Sequence, residues 1–95
     1  MQTLAAIDAL TGVYIRRFGL LRLHEEFGRA VRAGTPIGLL TLDIDHFKAV
    51  NDTCSHLVGD RVLRSLSQVI RAALREGDIL LRYGGEEFSA VLPAA

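Results

Sequence analysis

At 95 residues, 49% of them hydrophobic, the chain is long enough for one domain with a modest core and too short for two. Its 11 basic side chains balance 11 acidic ones, which argues against the broad basic footprint of a protein that grips a nucleic-acid polymer but leaves room for a small phosphate site. The lone Cys54 excludes an internal disulfide and suits a reducing compartment, so a cytoplasmic location is expected. No apolar run approaches the ~18 residues of a membrane span and the first ten residues lack a signal-peptide pattern, so this segment is expected to make no direct membrane contact.

In chain order, the first periodic segment runs from about Arg16 to Ala33. Leu20, Leu23, Phe27, Ala30 and Val31 recur at helical spacing, charged residues lie mostly on the other faces, and Gly34 and Pro36 end the pattern. Ile37 to Asp43 is a short apolar run after a Gly-Thr-Pro break and reads as a buried strand. Val58, Val62, Leu63, Leu66, Val69, Ile70, Ala73 and Leu74 then mark a longer amphipathic helix closed by Gly77. Two further apolar runs, Asp78 to Tyr83 and Glu86 to Leu92, flank Gly84 and Gly85 and read as a hairpin with a two-residue turn whose residues both adopt positive φ.

A right-handed crossover from the first strand through the long helix sets the first hairpin strand parallel to it, with the second hairpin strand antiparallel between the two. That three-stranded sheet brings Asp43, at the end of the first strand, beside Glu86, at the start of the last. Convergent carboxylates suit Mg²⁺, which takes oxygen ligands and commonly shares them with substrate phosphates. The same residues also have a plain structural reading. Asp43 ends a strand, Asp45 N-caps a short helix near His46 to Asp52, and Glu86 and Glu87 are solvated charges beside a turn.

Four motifs separate these readings. Residues 8–12 read Asp-Ala-Leu-Thr-Gly, residues 42–53 read Leu-Asp-Ile-Asp-His-Phe-Lys-Ala-Val-Asn-Asp-Thr, His56 precedes Gly59 and Asp60, and residues 82–88 read Arg-Tyr-Gly-Gly-Glu-Glu-Phe. In order and spacing these resemble the signatures of the GGDEF family of diguanylate cyclases, and the resemblance covers nearly the entire chain. It implies an α+β domain of the ferredoxin-like, nucleotidyl-cyclase palm type, occupying residues 8–95 as a partial domain, with residues 1–7 as the end of an upstream linker helix. It implies condensation of two GTP into cyclic di-GMP by a homodimer, each protomer holding one nucleotide and a divalent metal, Mg²⁺ or Mn²⁺. On that basis Asp43, Glu86 and the backbone carbonyl of Ile44 resemble the metal ligands, Glu86 the base for the ribose 3′-hydroxyl, and Lys48 the cation that offsets phosphate charge. Asn51 and Asp60 resemble the pair that reads guanine, and His56, Gly84 and Gly85 further nucleotide contacts. Glu87 belongs to the motif, but alternation turns it to the opposite face from Glu86. Arg75 and Asp78 resemble the family's inhibitory site for cyclic di-GMP, and a product receptor or an interaction module on the same fold are alternatives. The sequence departs from the family at Cys54 and Ser55, where an aromatic residue and a glycine are usual. The family's further helix, strand and triphosphate-gripping basic residues are expected after residue 95.

Overall fold

A computed structural model describes residues 6–94. The elements run β1 (Tyr14–Ile15), α1 (Arg16–Ala33), β2 (Ile37–Asp43), α2 (Phe47–Thr53), α3 (His56–Ala73), β3 (Ile79–Arg82) and β4 (Glu87–Pro93). They form an α+β domain around one mixed sheet of order β1-β3-β4-β2. As the crossover argument requires, β4 lies antiparallel between β3 and β2. The strand that sequence reading missed is β1, two residues paired parallel to β3 through Tyr14 with Leu81 and Ile15 with Arg82.

Each face of the sheet carries its own core. Leu80, Phe88 and Ala90 pack with Phe47 of α2 and Leu63 of α3 on one face, while Ile79, Leu81 and Val91 meet Leu23 of α1 and Ile37 on the other. Central strands covered on both sides read as continuous apolar runs, which is why β3 and most of β4 are buried throughout.

α1 lies against the sheet through a face rotated from its apolar stripe, so that Leu23 and Ala30 of that stripe turn to the core and the rest does not. Gly19, Glu26 and Ala30 are buried, whereas Leu20, Phe27 and Val31 of the expected stripe are exposed. Close approach at Gly19 explains the rotation, because a Cβ there would overlap Leu81 Cβ and stand 2.9 Å from Leu81 Cγ. Glu26 tolerates burial through ion pairs with Arg22 at 3.5 Å and Arg29 at 3.8 Å.

Two local expectations need correction. Gly84 and Gly85 are not at positive φ, a conformation found among the glycines at Gly12, Gly34 and Gly77. Tyr83 N–H and Gly84 N–H both donate to the Glu87 carbonyl, at 2.8 and 3.3 Å, so three residues, Gly84 to Glu86, turn the hairpin and β4 starts at Glu87. The short helix α2 is capped by His46 in the left-handed region, at φ 59°, with no side-chain cap, rather than by Asp45. Of the stretch 1–7 expected to end an upstream helix, residues 1–5 lie outside the described residues, and Ile7 forms an antiparallel bridge with Tyr14.

Candidate functional site

The sheet delivers the acidic residues to one end. β2 and β4 pair in register from Ile37 with Pro93 to Asp43 with Glu87, and beyond that pair Ile44 N–H donates to the Glu86 carbonyl at 3.3 Å. Asp43, Ile44, Glu86 and Glu87 therefore adjoin at the β2–β4 end, as expected, although the residue directly opposite Asp43 is Glu87. Glu87 lies on the α1 side of the sheet, lining a hollow with Leu20, Thr41 and Ser89. Its carboxylate covers Gly84, whose Cβ, had it one, would stand 2.9 Å from Glu87 Oε1.

α2 and α3 bring the second group together. Lys48 is exposed on α2, His56 and Asp60 are exposed on α3, and Asn51 is half-buried between the two helices. Phe47 anchors α2 in the core beside Leu63, which fixes the helix that carries Lys48 and Asn51. Ser55, one of the two departures from the family pattern, has a local task here: its hydroxyl accepts from Val58 N–H at 3.2 Å and caps α3. The α3 backbone is thus anchored from its first turn.

The turn before Glu86 is braced by contacts that sequence reading did not assign. Arg82 donates to the Gly85 carbonyl from Nε at 3.2 Å and from Nη2 at 2.7 Å, and its Nη1 reaches both oxygens of Asp8 at 3.3 Å. Asp8 in turn accepts from the Thr11 amide at 2.9 Å and the Thr11 hydroxyl at 2.7 Å. Burial of Asp8 pushes its pKa up, but the Thr11 hydrogen bonds and the Arg82 guanidinium outweigh that and hold it below the ordinary carboxylate value. Arg16 lies over the Tyr83 ring, 4.1 Å from its centroid. The turn near the N-terminus and the glycine turn are therefore one braced unit.

Arg75 and Asp78 form a separate site. Arg75 N–H donates to Asp78 Oδ2 at 2.8 Å, Arg75 Nη2 to Asp78 Oδ1 at 3.2 Å and to the Pro93 carbonyl at 3.0 Å. Burial raises the Asp78 pKa and the Arg75 hydrogen bonds and charge more than reverse it, leaving the carboxylate firmly ionised. Pro93 ends β4 where Glu87 begins it, so this pair stands about 20 Å from the acidic end at ~3.4 Å per strand residue. Both residues line a pocket of about 280 Å³ with Gly12, Leu80 and Arg71, a second guanidinium in the last turn of α3 that no motif marked.

Among the described residues no three His, Cys, Asp or Glu side chains form a metal-holding cluster by themselves. Asp43, Glu86 and a backbone carbonyl would offer oxygen donors only, a chemistry that suits a hard divalent cation. No helix among the described residues is long and apolar enough to cross a membrane.

An α+β domain with a mixed sheet, acidic residues where its edge strand β2 meets the β4 hairpin, and helices packed on both faces has the architecture of a nucleotidyl-cyclase type of domain. The sequence profile of the family described as "Diguanylate cyclase, GGDEF domain" matches residues 5–95, and the chain belongs to that family. It is 46% identical over 90 residues to the diguanylate cyclase DgcP of Pseudomonas aeruginosa, covering 95% of this chain and 13% of that protein. The crystal structure of the GGDEF domain of DgcB from Caulobacter crescentus in complex with c-di-GMP superposes with TM-score 0.94 at 38% identity, covering 100% of this chain and 54% of that one. Diguanylate cyclase SiaD in complex with its activator SiaC, from Pseudomonas aeruginosa, gives TM-score 0.91 at 46% identity, over 96% of this chain and 35% of that one. The chain thus spans about half, or less, of the relatives it matches.

Proposed function

We propose that this chain carries the nucleotide site of a diguanylate cyclase that condenses two GTP into cyclic di-GMP. The observation that carries the reading is the meeting of β2 and the hairpin turn, where Ile44 N–H donates to the Glu86 carbonyl and Asp43, next to Ile44, ends the strand. Asp43, Glu86 and the Ile44 carbonyl would hold Mg²⁺ or Mn²⁺, which when bound supplies Lewis-acid stabilisation of charge on phosphate oxygens.

The protein's own residues have distinct tasks. Glu86 accepts the proton of a ribose 3′-hydroxyl as that oxygen attacks the α-phosphorus of the second GTP. The bond to the β-phosphate breaks and pyrophosphate leaves, and a second transfer in the opposite sense closes the ring. Lys48 offsets the growing phosphate charge, since phosphoryl transfer is mostly positioning and electrostatics. Asp60 accepts from the guanine N1–H and N2–H, Asn51 donates to its O6 or N7, and His56, Gly84 and Gly85 complete the nucleotide contacts. Glu87, covering Gly84, shapes the turn. Each protomer holds one GTP, so the reaction needs a homodimer. The free, exposed Cys54 suits the reducing cytoplasm.

A second reading, a cyclic di-GMP receptor, is supported by the Arg75–Asp78 pair and its pocket, because a planar guanidinium binds phosphate and stacks on a base. In the enzyme the same pair serves as a product brake. Chromatography of products formed from GTP and Mg²⁺ tests the first reading: Glu86→Ala and Asp43→Ala are each expected to lower turnover by about 10²-fold or more. Retained turnover in both variants removes the assignment. Calorimetric titration with cyclic di-GMP tests the second, with Arg75→Ala expected to abolish binding while turnover persists. Product binding by a chain that never turns over GTP establishes the receptor instead, and binding of neither ligand leaves the interaction module.

A further inference from the structure

Asn51 is the one described residue with a buried side-chain polar atom, Oδ1, that has no hydrogen-bond partner. Such atoms are rare because each forfeits its hydration without replacement. What seats this one is Gly59, the fourth residue of α3, buried where α3 meets α2. A Cβ at Gly59 would overlap Asn51 Oδ1, stand 3.0 Å from Asn51 Cγ and 3.3 Å from Phe47 Cζ. The α3 backbone at Gly59 is helical, with no positive φ to favour glycine, and alanine is the better helix former there. The missing side chain is therefore explained by the space it leaves for the Asn51 amide.

We infer that Gly59 is a positioning residue for base recognition: by leaving its Cβ volume empty it lets the Asn51 amide lie edge-on against α3, with the NH₂ end turned outward as a donor for a purine acceptor. The inference rests on the assignment of Asn51 and Asp60 as guanine readers and adds what sets the geometry of Asn51. Oδ1 is buried beside Gly59 without a partner, and the NH₂ donors match guanine O6 and N7, whereas adenine presents an amino group in place of O6. Alanine at position 59 would push the amide out of this seat and disturb donor and base plane together.

A double-mutant cycle tests this. GTP with Mg²⁺ and, separately, ATP with Mg²⁺ are titrated calorimetrically into the protein, Gly59→Ala, Asn51→Ala and the double variant, with circular dichroism as the check on folding. Gly59→Ala is expected to weaken GTP binding about tenfold, the loss of one well-placed hydrogen bond, and to lower the preference for GTP over ATP by a similar factor. The double variant is expected to bind GTP no more weakly than Asn51→Ala alone, since Gly59 acts through Asn51. Unchanged GTP affinity in folded Gly59→Ala overturns the inference and leaves the guanine-reading assignment standing. Additive losses in the double variant also overturn it, because they assign Gly59 to packing alone. If Gly59→Ala does not fold, recovery of the fold in the double variant supports the amide seat and failure to recover overturns it. A parent protein that binds GTP no better than ATP removes the guanine assignment and this inference with it.

Discussion

Asp8 and Arg82 are 74 positions apart in sequence, yet their ion pair at 3.3 Å ties the turn near the N-terminus to the Gly85 carbonyl, one residue before Glu86. Both side chains are only about one-fifth exposed, so the pair is screened less than a surface bridge. Because the folded pKa of Asp8 is depressed, its stabilisation is fully present above the ordinary carboxylate pKa and is lost as pH falls through the lowered folded value. The pKa of Asp78 is depressed as well, its burial outweighed by the Arg75 hydrogen bonds and charge, so the difference between variant and parent isolates Asp8. Asp8→Asn is expected to cost about 1 kcal/mol at pH 7, where the parent holds the charged pair, and much less at an acid pH below the lowered folded pKa of Asp8. Urea unfolding followed by circular dichroism at both pH values measures it, and an equal loss at both would assign the cost to packing instead of charge. None of this was legible in the sequence. Asp8 and Arg82 each stood inside a recognised motif, but nothing in linear spacing says that two motifs so far apart share an ion pair.

At the level of elements, the sequence made the helices and long strands legible and the contacts between them much less so. Apolar runs of seven residues and an 18-residue periodic helix leave a pattern, so β2, β4 and α3 lie close to their expected spans, although β2 is an exposed edge strand, not a buried one, and α3 ends at Ala73, ahead of Gly77; the two residues of β1 are too few to have a period. The turn at Gly84 and Gly85 was misread because paired glycines allow positive φ without requiring it. The candidate site was read in the same uneven way. Asp43 and Glu86 were brought to one strand end by topology alone, but the roles of Asn51, His56 and Asp60 came only with the family resemblance. The clearest mismatch is α1, where apolar spacing marks Leu20, Leu23, Phe27, Ala30 and Val31 but only Leu23 and Ala30 turn to the core, alongside Gly19 and Glu26. Hydrophobicity does not report how closely two backbones approach, and here that distance decides. Two glycines in one helix separate the effects. Gly19→Ala is expected to destabilise by about 1–3 kcal/mol, since overlap with the buried Leu81 outweighs the gain in helix propensity. Gly28→Ala, whose Cβ would meet only the flexible end of Arg32 at 3.5 Å, is expected to stabilise by about 0.5–1 kcal/mol. Chemical denaturation of both variants checks the signs, and stabilisation by Gly19→Ala would mean that α1 does not approach the sheet as closely as described.

Across the whole molecule the unbalanced feature is β2. Among the described residues it pairs only with β4 and so stands at the sheet edge, its outer backbone groups open along seven residues. Residues 38–42 read Gly-Leu-Leu-Thr-Leu, without the lysine, proline or bulge that edge strands use to discourage pairing, and Leu39 and Leu40 are 57% and 49% exposed. An apolar trough flanks the strand on each face: one of about 470 Å³ between α1 and β2, lined by Leu20, Phe27 and Leu39, and one of about 640 Å³ between β2 and α3, lined by Leu40, Leu66 and Val69. A second copy of the chain matches both features at once. Antiparallel β2–β2 pairing about a two-fold axis satisfies the edge in both copies and brings each copy's exposed leucines beside the other's troughs. The 95-residue chain by itself is therefore expected to self-associate through this edge. Thr41→Lys, which sets a charge on each strand without touching the buried core, is expected to reduce association by placing two like charges near the shared axis. Sedimentation velocity over a range of concentrations, on the parent and the variant, is the measurement. A parent chain that stays monomeric at the highest concentration reached would contradict the open-edge account, and association that survives Thr41→Lys undiminished would assign it to another surface.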